Sequence, residues 1–332
     1  MKAVKRVAPG DELATEAENG CEVVMLANGV LAIRERASGE VMHPGAGPRV
    51  EAESIYVLPS RLEARLQEGG GPLMLFDVGL GAATNAISAW QVSEAQSMSA
   101  RRLEIVSFEH DLDALKLALR PENADALGLT KEGANAHAAA TALLMEGRHE
   151  TPRTRWRLSL GDFPSSLSKV PDGSVDIVFW DLFSPRTAPN LWTISMFTAL
   201  RRVCREGATL HTYSASTSTR SGLLLGDFAV GVGNPTGDHD ETTIAATGIA
   251  HLARPLGASW LGRLSRSSMP LPSDVPSDPR AQADALARVR ACPQFENISV
   301  PRLIEQREKA SGSRRMLPKS AVRRLTTCQA RP

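Results

Sequence analysis

Residues 74–90 read MLFDVGLGAATNAISAW, an apolar run that ends on Asp77, crosses Gly79 and Gly81, and turns into a helix. A backbone that must bend sharply and approach a ligand closely has no room for a β-carbon at those two points. A helix opening near Ala82 then aims its free N–H groups at whatever occupies the bend. The segment predicts an α/β chain in which a strand hands a nucleotide to a helix, with Leu80 carried between the two glycines. Thr84 stands where the dinucleotide fingerprint has its third glycine, which weakens a nicotinamide reading and leaves room for a cofactor without a pyrophosphate. A tight strand-to-helix turn in an unrelated α/β protein has the same outline.

Three more strands follow in order. RRLEIVSFEHD predicts a strand that ends on Glu109 and leads into the amphipathic helix DLDALKLAL. An acidic residue at that strand end can accept hydrogen bonds from both hydroxyls of a ribose. TRWRLSLGDF predicts a strand ending on Gly161 and Asp162, whose carboxylate either accepts from an exocyclic adenine amine or caps the helix that Pro164 opens. SVDIVFWDLFSP carries five apolar residues in the six positions 175–180, the mark of a strand buried on both faces, and Asp181 stands where that burial stops. Asp181 there either faces a ligand at the carboxyl edge of the sheet or caps the next turn. Phe183 and Pro185 add an apolar wall and a stiff turn that pushes Ser184 away from helical angles.

The string FWDLFSPRTAPNLWTISMFTALRRVCREGATLHTYSAST, taken with FDVGLGAATN and the upstream GEVMHPGAGPRVEAESIY, resembles the methyltransferase domain of the MnmC family over roughly residues 20–250. The D-x-F-S-P and P-N-L-W signatures together are more specific than the glycine turn. The resemblance implies a class I, Rossmann-like methyltransferase fold. This is a doubly wound α/β sheet of seven strands, with GATLHTYS as the fifth and DFAVGVG and ETTIAAT as a terminal antiparallel hairpin. It implies S-adenosyl-L-methionine as cofactor, with Asp77, Gly79, Leu80 and Gly81 around its methionine end, Glu109 at the ribose and Asp162 at the adenine. The implied reaction methylates the aminomethyl group of a modified wobble uridine in tRNA, giving 5-methylaminomethyl-2-thiouridine. Asp181 would face the amine, and Phe183, Pro185, Trp192 and Tyr213 would form the substrate side. Trp192 and Tyr213 read equally well as core residues. Bifunctional members carry a flavin oxidase domain after this one, and nothing after residue 265 is long enough to be that. A stand-alone transferase is therefore expected, with a separate FAD oxidase or tRNA-modifying complex supplying its precursor.

Moving a methyl group from a sulfonium to an amine is an in-line displacement, so holding the two atoms close in a water-poor pocket supplies up to about 7 to 11 kcal/mol. Reference pKa values of about 3.9 and 10.4 put proton transfer from a free ammonium to an aspartate roughly 9 kcal/mol uphill. Asp181 is thus expected to orient a neutral amine by accepting its hydrogen bond and to stabilise the charge that develops on nitrogen.

Charge becomes informative once it is divided. Family members carry a basic turn in the last strand pair, whereas this chain has GVGNPTGDHDETTIA, with Asp238, His239, Asp240 and Glu241. Residues 301–332 hold nine Lys or Arg against Glu305 and Glu308, leaving the first 300 residues at −6. Phosphate contact releases counterions and requires such cations, so the tail is the expected tRNA contact; a solvated basic tail is the plain alternative. The acidic turn also suits a cationic polyamine. A small-molecule amine methyltransferase or an aminopropyltransferase on the same fold is the second reading, although DLFSP offers no second carboxylate for aminopropyl transfer. A non-catalytic nucleoside-binding module is the third.

Three regions are expected: a β-rich lead element over 1–58, a methyltransferase domain over 59–265, and a linker with a basic tail over 266–332. The lead element, which takes AESIYVL as a β run, is placed over the cofactor edge. It turns at the pairs Asn28-Gly29 and Ser38-Gly39. Residues 121–150 form a helical insertion, with His137 and His149 facing solvent. RSSMPLPSDVPSDPR marks the linker, and RAQADALARVRAC one amphipathic helix after it. No apolar run approaches a membrane span, no apolar region follows the basic start, and Cys21, Cys204, Cys292 and Cys328 form no C-x-x-C pair. A cytoplasmic protein without membrane contact, bound metal or disulfides is expected.

Overall fold

The computed structural model describes residues 13–296 apart from 19, 28, 43–46, 128, 130–134 and 237–239. The basic tail, Asp238 and His239 therefore lie outside the described residues. A three-stranded antiparallel sheet comes first, built from β1 (Leu13–Glu18), β2 (Cys21–Met25) and β3 (Leu31–Glu35). After β3 the chain reverses tightly: Gly39 takes φ 73°, its N–H donates to the Glu35 carbonyl, and the Glu35 N–H donates to the Glu40 carbonyl. Only a residue without a β-carbon adopts that φ at no cost.

The expected β run AESIYVL is helical instead. Pro48 opens α1 (Pro48–Glu51), as a first-turn proline favours, and the chain continues without a break into a π turn over Ala52–Val57. Ile55 and Val57 are β-branched, which is why the run looks extended. Helical winding buries Ala52, Ile55, Tyr56 and Val57 together, and the segment packs on α3 (Thr84–Glu94). Short apolar runs are ambiguous between the two periods, and tertiary packing decides.

After α2 (Leu62–Gln67) comes the main sheet. Its strands are β4 (Leu73–Val78), β5 (Leu103–Glu109), β6 (Arg148–Glu150), β7 (Thr154–Leu160), β8 (Val175–Trp180), β9 (Cys204–Thr212), β10 (Ala229–Val232) and β11 (Thr243–Ala246). They lie in the order β10-β11-β9-β8-β4-β5-β7-β6. The five central strands are parallel, and β10 and β11 form the expected terminal antiparallel hairpin, with β11 also antiparallel to β9. The sheet has eight strands rather than seven because three residues after the helical insertion add an antiparallel edge strand, β6. After the expected helix α4 (Asp113–Ala118), the insertion holds α5 (Pro121–Ala124) and α6 (Ala136–Glu146). Its histidines do not face solvent: His137 Nε2 pairs with the Leu119 carbonyl, and the half-buried His149 ring sits edge-on to Trp90.

All six residues of β8 are buried, as its unbroken apolar run requires. From β4 the order runs to β5 on one side and β8 on the other. That reversal opens a crevice at the carboxyl ends of the two strands, where open α/β sheets bind ligands. Behind it stand Trp180, Phe179 and Phe197, fully buried, each contributing about 1.5 to 3 kcal/mol through its burial. The remaining helices are α7 (Phe163–Leu167), α8 (Ile194–Val203), α9 (Thr217–Leu225), α10 (Ala258–Leu264) and α11 (Pro279–Arg290).

The Pro/Ser-rich stretch expected as a linker is packed onto this body. Asp274 accepts from the Ile194 and Ser195 N–H groups at the start of α8, Leu271 is buried, and α11 lies on α9. Gln294 then pairs with both backbone groups of Val230, closing part of the outer edge of β10. The compact unit accordingly runs through Asn297. Cys21, Cys204 and Cys292 are free thiols. Among the described residues no helix is long and apolar enough to cross a membrane.

Candidate active site

A cavity of about 350 Å³, a size ordinary for a small-molecule site, lies at the carboxyl ends of β4 and β8. One side is the glycine bend. Gly79 takes φ 93°, and a β-carbon there would collide with the Asp181 carbonyl, so the bend and the end of β8 meet backbone to backbone. Gly81 takes φ 51°, with Met42 of the lead element packed close to it. Ala83 also has positive φ, 66°, and α3 therefore opens at Thr84 instead of Ala82. Glu109 reaches in from the end of β5. Its Oε2 accepts from the Gly81 N–H at 2.9 Å and its Oε1 from the His110 N–H at 2.7 Å. Burial pushes this carboxyl up from its ordinary value, and the two N–H groups pull it back in part.

On the opposite side Asp181 lines the cavity, its carboxylate clamped from two directions. Oδ1 accepts from the Tyr56 hydroxyl and Oδ2 from the Asn85 amide, both at 2.6 Å. Tyr56 comes from the π turn and Asn85 from the first turn of α3. Neither was singled out in the sequence. The available signals were an aromatic residue inside a helical turn and an amide just past the glycine bend, and both residue types are common in cores. Burial raises the Tyr56 phenol well above its ordinary value, and the Asp181 charge and hydrogen bond add to this, so the phenol remains a donor. π turns of this kind recur at functional sites.

Phe183 lines the cavity, as does Tyr213, whose hydroxyl donates to the Leu182 carbonyl at 3.0 Å. Trp192 does not. It is buried behind the wall, donates from Nε1 to the Phe183 carbonyl at 2.8 Å, and packs edge-on against Trp180, Phe197 and Tyr213. Pro185 lies in the turn beyond Phe183 and is not part of the lining. Two other expected site residues also stand apart. Asp162 is the exposed N-cap of α7, its Oδ2 accepting from the Ser165 N–H and hydroxyl, which hold its carboxyl below the usual range. Asp77 lies fully buried beneath the bend. Its Oδ2 accepts from the Ser107 hydroxyl, which in turn accepts from Trp156 Nε1, while among the described residues Oδ1 has no partner. Burial pushes Asp77 up to about 8; the Ser107 bond opposes this, and the charges of Asp181 and Glu109 add to it.

The lead element does close over the cavity, contributing Glu40, Val41 and Met42, and α1 contributes the buried Glu51. Four carboxylates, Glu40, Glu51, Glu109 and Asp181, thus line the space, and no Lys, Arg or His lines it among the described residues. Such a site favours cations and rejects phosphate. It suits a cofactor that carries a sulfonium and an ammonium on a nucleoside, and the bend supplies the close backbone approach which that group needs. Glu241 of the acidic turn is not free to add to this field, because it pairs with the buried Arg220 and with Arg263.

A family described as S-adenosyl-L-methionine-dependent methyltransferase matches residues 132–248. The bifunctional protein MnmC of Methylibium petroleiphilum, named for tRNA 5-methylaminomethyl-2-thiouridine biosynthesis, is 31% identical over 227 residues, 67% of this chain and 34% of that protein. Its counterpart in Ectopseudomonas mendocina is 32% identical over 204 residues, 59% of this chain and 30% of that protein. The chain thus spans about a third of the length of these curated relatives. Among solved structures, MNMC2 from Aquifex aeolicus superposes with a TM-score of 0.61 at 24% identity, covering 84% of this chain and 88% of that one.

Proposed function

Because this chain is an S-adenosyl-L-methionine-dependent methyltransferase similar to the methyltransferase part of MnmC, we propose that it methylates the primary amine of a 5-aminomethyl-2-thiouridine at the wobble position of tRNA. The observation that carries this reading is the cavity lined by four carboxylates and, among the described residues, by no cation. When bound, the cofactor supplies an electrophilic methyl group on a positively charged sulfur. Gly79, Leu80 and Gly81 bring the backbone close to its methionine end, and Glu109 accepts from the ribose. Asp162 keeps a second carboxylate oxygen for the adenine amine, and Asp77 supports the bend from below.

Tyr56 and Asn85 hold the Asp181 carboxylate from two directions at the cavity where the acceptor enters. Held in one orientation, the carboxylate accepts from the neutral amine and stabilises the charge growing on nitrogen without reorganising. Phe183 and Tyr213 give the base a flat wall, as unpaired bases commonly require. Trp192 stiffens that wall and does not itself stack. The basic stretch 301–332 supplies the phosphate contacts.

Asp181→Ala is expected to lower kcat by about a hundredfold or more, the usual cost of a preorganised electrostatic group, with cofactor affinity falling by much less than kcat. Near-normal turnover would remove Asp181 from the reaction. A small-molecule amine is the second reading, favoured because Glu40 and Glu51 supply the extra carboxylates that DLFSP lacks. Labelled methyl donor offered with bulk tRNA in one tube and with diamines in another separates the two. Label recovered in a methylaminomethyl nucleoside supports the first reading, and label only in the diamine overturns it.

A further inference from the structure

The wall on the β8 side is pinned residue by residue. Asp181 is held by Tyr56 and Asn85, the Leu182 carbonyl by Tyr213, and the Phe183 carbonyl by Trp192. The next anchor comes from the N-terminal sheet. Glu40 Oε1 accepts from the Ser184 N–H at 2.7 Å, and its Oε2 accepts from the Ser184 hydroxyl at 3.0 Å and from the Thr187 hydroxyl at 2.6 Å. These donors lie 144 and 147 residues from Glu40 in sequence. Glu40 is itself fixed. Its N–H donates to Ser38 Oγ at 3.1 Å, its carbonyl accepts from the Glu35 N–H at 2.9 Å, and Val41 bridges back to Arg34. Ser184 to Ala188 forms a closed turn, with the Thr187 and Ala188 N–H groups both donating to the Ser184 carbonyl. Two tight turns from distant parts of the chain therefore meet through one carboxylate at the edge of the cavity. Hydrogen bonds from neutral donors to an ionised acceptor are among the stronger ones available to a protein.

We propose that Glu40 is a positioning residue of the methyl transfer. By gripping the Ser184–Thr187 turn it sets where Phe183 stands relative to Asp181, and so makes the N-terminal sheet part of the acceptor site. The role rests on the reading that an amine acceptor enters beside Asp181. Glu40 has a different task from Asp181: it contacts the wall and leaves the reacting nitrogen to its neighbour. A grip on the wall moves acceptor KM, whereas a purely structural contact lowers melting temperature alone.

The test uses the full chain with Glu40→Ala and Glu40→Gln, measuring cofactor Kd, acceptor kcat and KM, and amide hydrogen exchange across residues 182–188. Glu40→Ala is expected to raise acceptor KM about ten- to a hundredfold, the worth of hydrogen bonds to a charged group, with cofactor Kd rising by much less because three of the four lining carboxylates remain. Exchange at Ser184 and its neighbours should quicken as local opening becomes easier. Glu40→Gln keeps an oxygen for the Ser184 N–H and an amide that the hydroxyls can accept from by rotating, so it should restore most of both readouts. Unchanged KM or unchanged exchange in Glu40→Ala overturns the proposal. So does a Gln variant as impaired as the Ala variant, because charge rather than grip would then matter. The exchange measurement needs no acceptor. If the wild-type chain methylates no amine, the proposed function fails while the grip is still judged by exchange.

Discussion

Asp77 lies beneath the site, and its surroundings act strongly on it. Its carboxyl is buried, has one oxygen without a partner among the described residues, and is pushed by burial from the ordinary 3.8 up to about 8. Between those two pH values the folded chain holds a proton that the unfolded chain releases, so stability falls as pH rises through this window and levels off above it. Asp77→Asn carries no such proton. Its urea midpoint should vary less with pH than that of the wild type between pH 5 and 9, and two parallel curves would refute the account. Gly79 tests geometry rather than charge. Gly79→Ala places a methyl group against the Asp181 carbonyl at a φ that alanine adopts at a cost, so about 1–3 kcal/mol of stability should be lost, together with cofactor affinity. Equilibrium unfolding and cofactor titration measure both. Gly79, Gly81 and Asp181 were legible in the sequence because a glycine in a bend and an acid ending an apolar run are rare local events. Tyr56, Asn85, Glu40 and Glu51 were not, since only the folded chain brings them to the same cavity.

At the scale of elements, the strands of the main sheet other than the short edge strand β6 were legible, and β1 and the helical turn over Ala52–Val57 were not. A fully buried strand such as β8 declares itself through an unbroken apolar run, whereas AESIYVL is apolar and too short to show a period. The Pro/Ser stretch was misread for a different reason. Composition reports where helices and strands stop, and it says nothing of Asp274 pairing with the first N–H groups of α8. That contact acts as a helix cap supplied from outside the helix. Asp274→Ala should therefore cost about 1 kcal/mol, read as a lower melting temperature with kinetic constants unchanged. Tyr56→Phe keeps the packing of the π turn and removes its donor to Asp181. A fall in kcat without a matching fall in melting temperature is expected, and a pure stability loss would make Tyr56 a core residue.

Charge organises the whole molecule. The compact unit ends at Asn297, and the net positive stretch of the sequence begins just beyond it. A chain stopping at Asn297 should keep cofactor binding and lose tRNA affinity, and the remaining affinity should depend less steeply on salt because fewer counterions are released. Equal salt slopes for the two chains would dismiss the tail as the phosphate contact.

The acidic lining of the cavity also bears on turnover. In the proposed reaction methyl transfer moves the positive charge from sulfur to nitrogen, so a space bordered by Glu40, Glu51, Glu109 and Asp181 would hold the spent thioether less firmly than the donor it came from. The same walls grip the newly charged amine more tightly than the neutral one that attacked. For the proposed amine acceptor, departure of the modified product, and not exchange of the used donor, is expected to be the slow event of each cycle, and the methylated product should inhibit more strongly than S-adenosylhomocysteine.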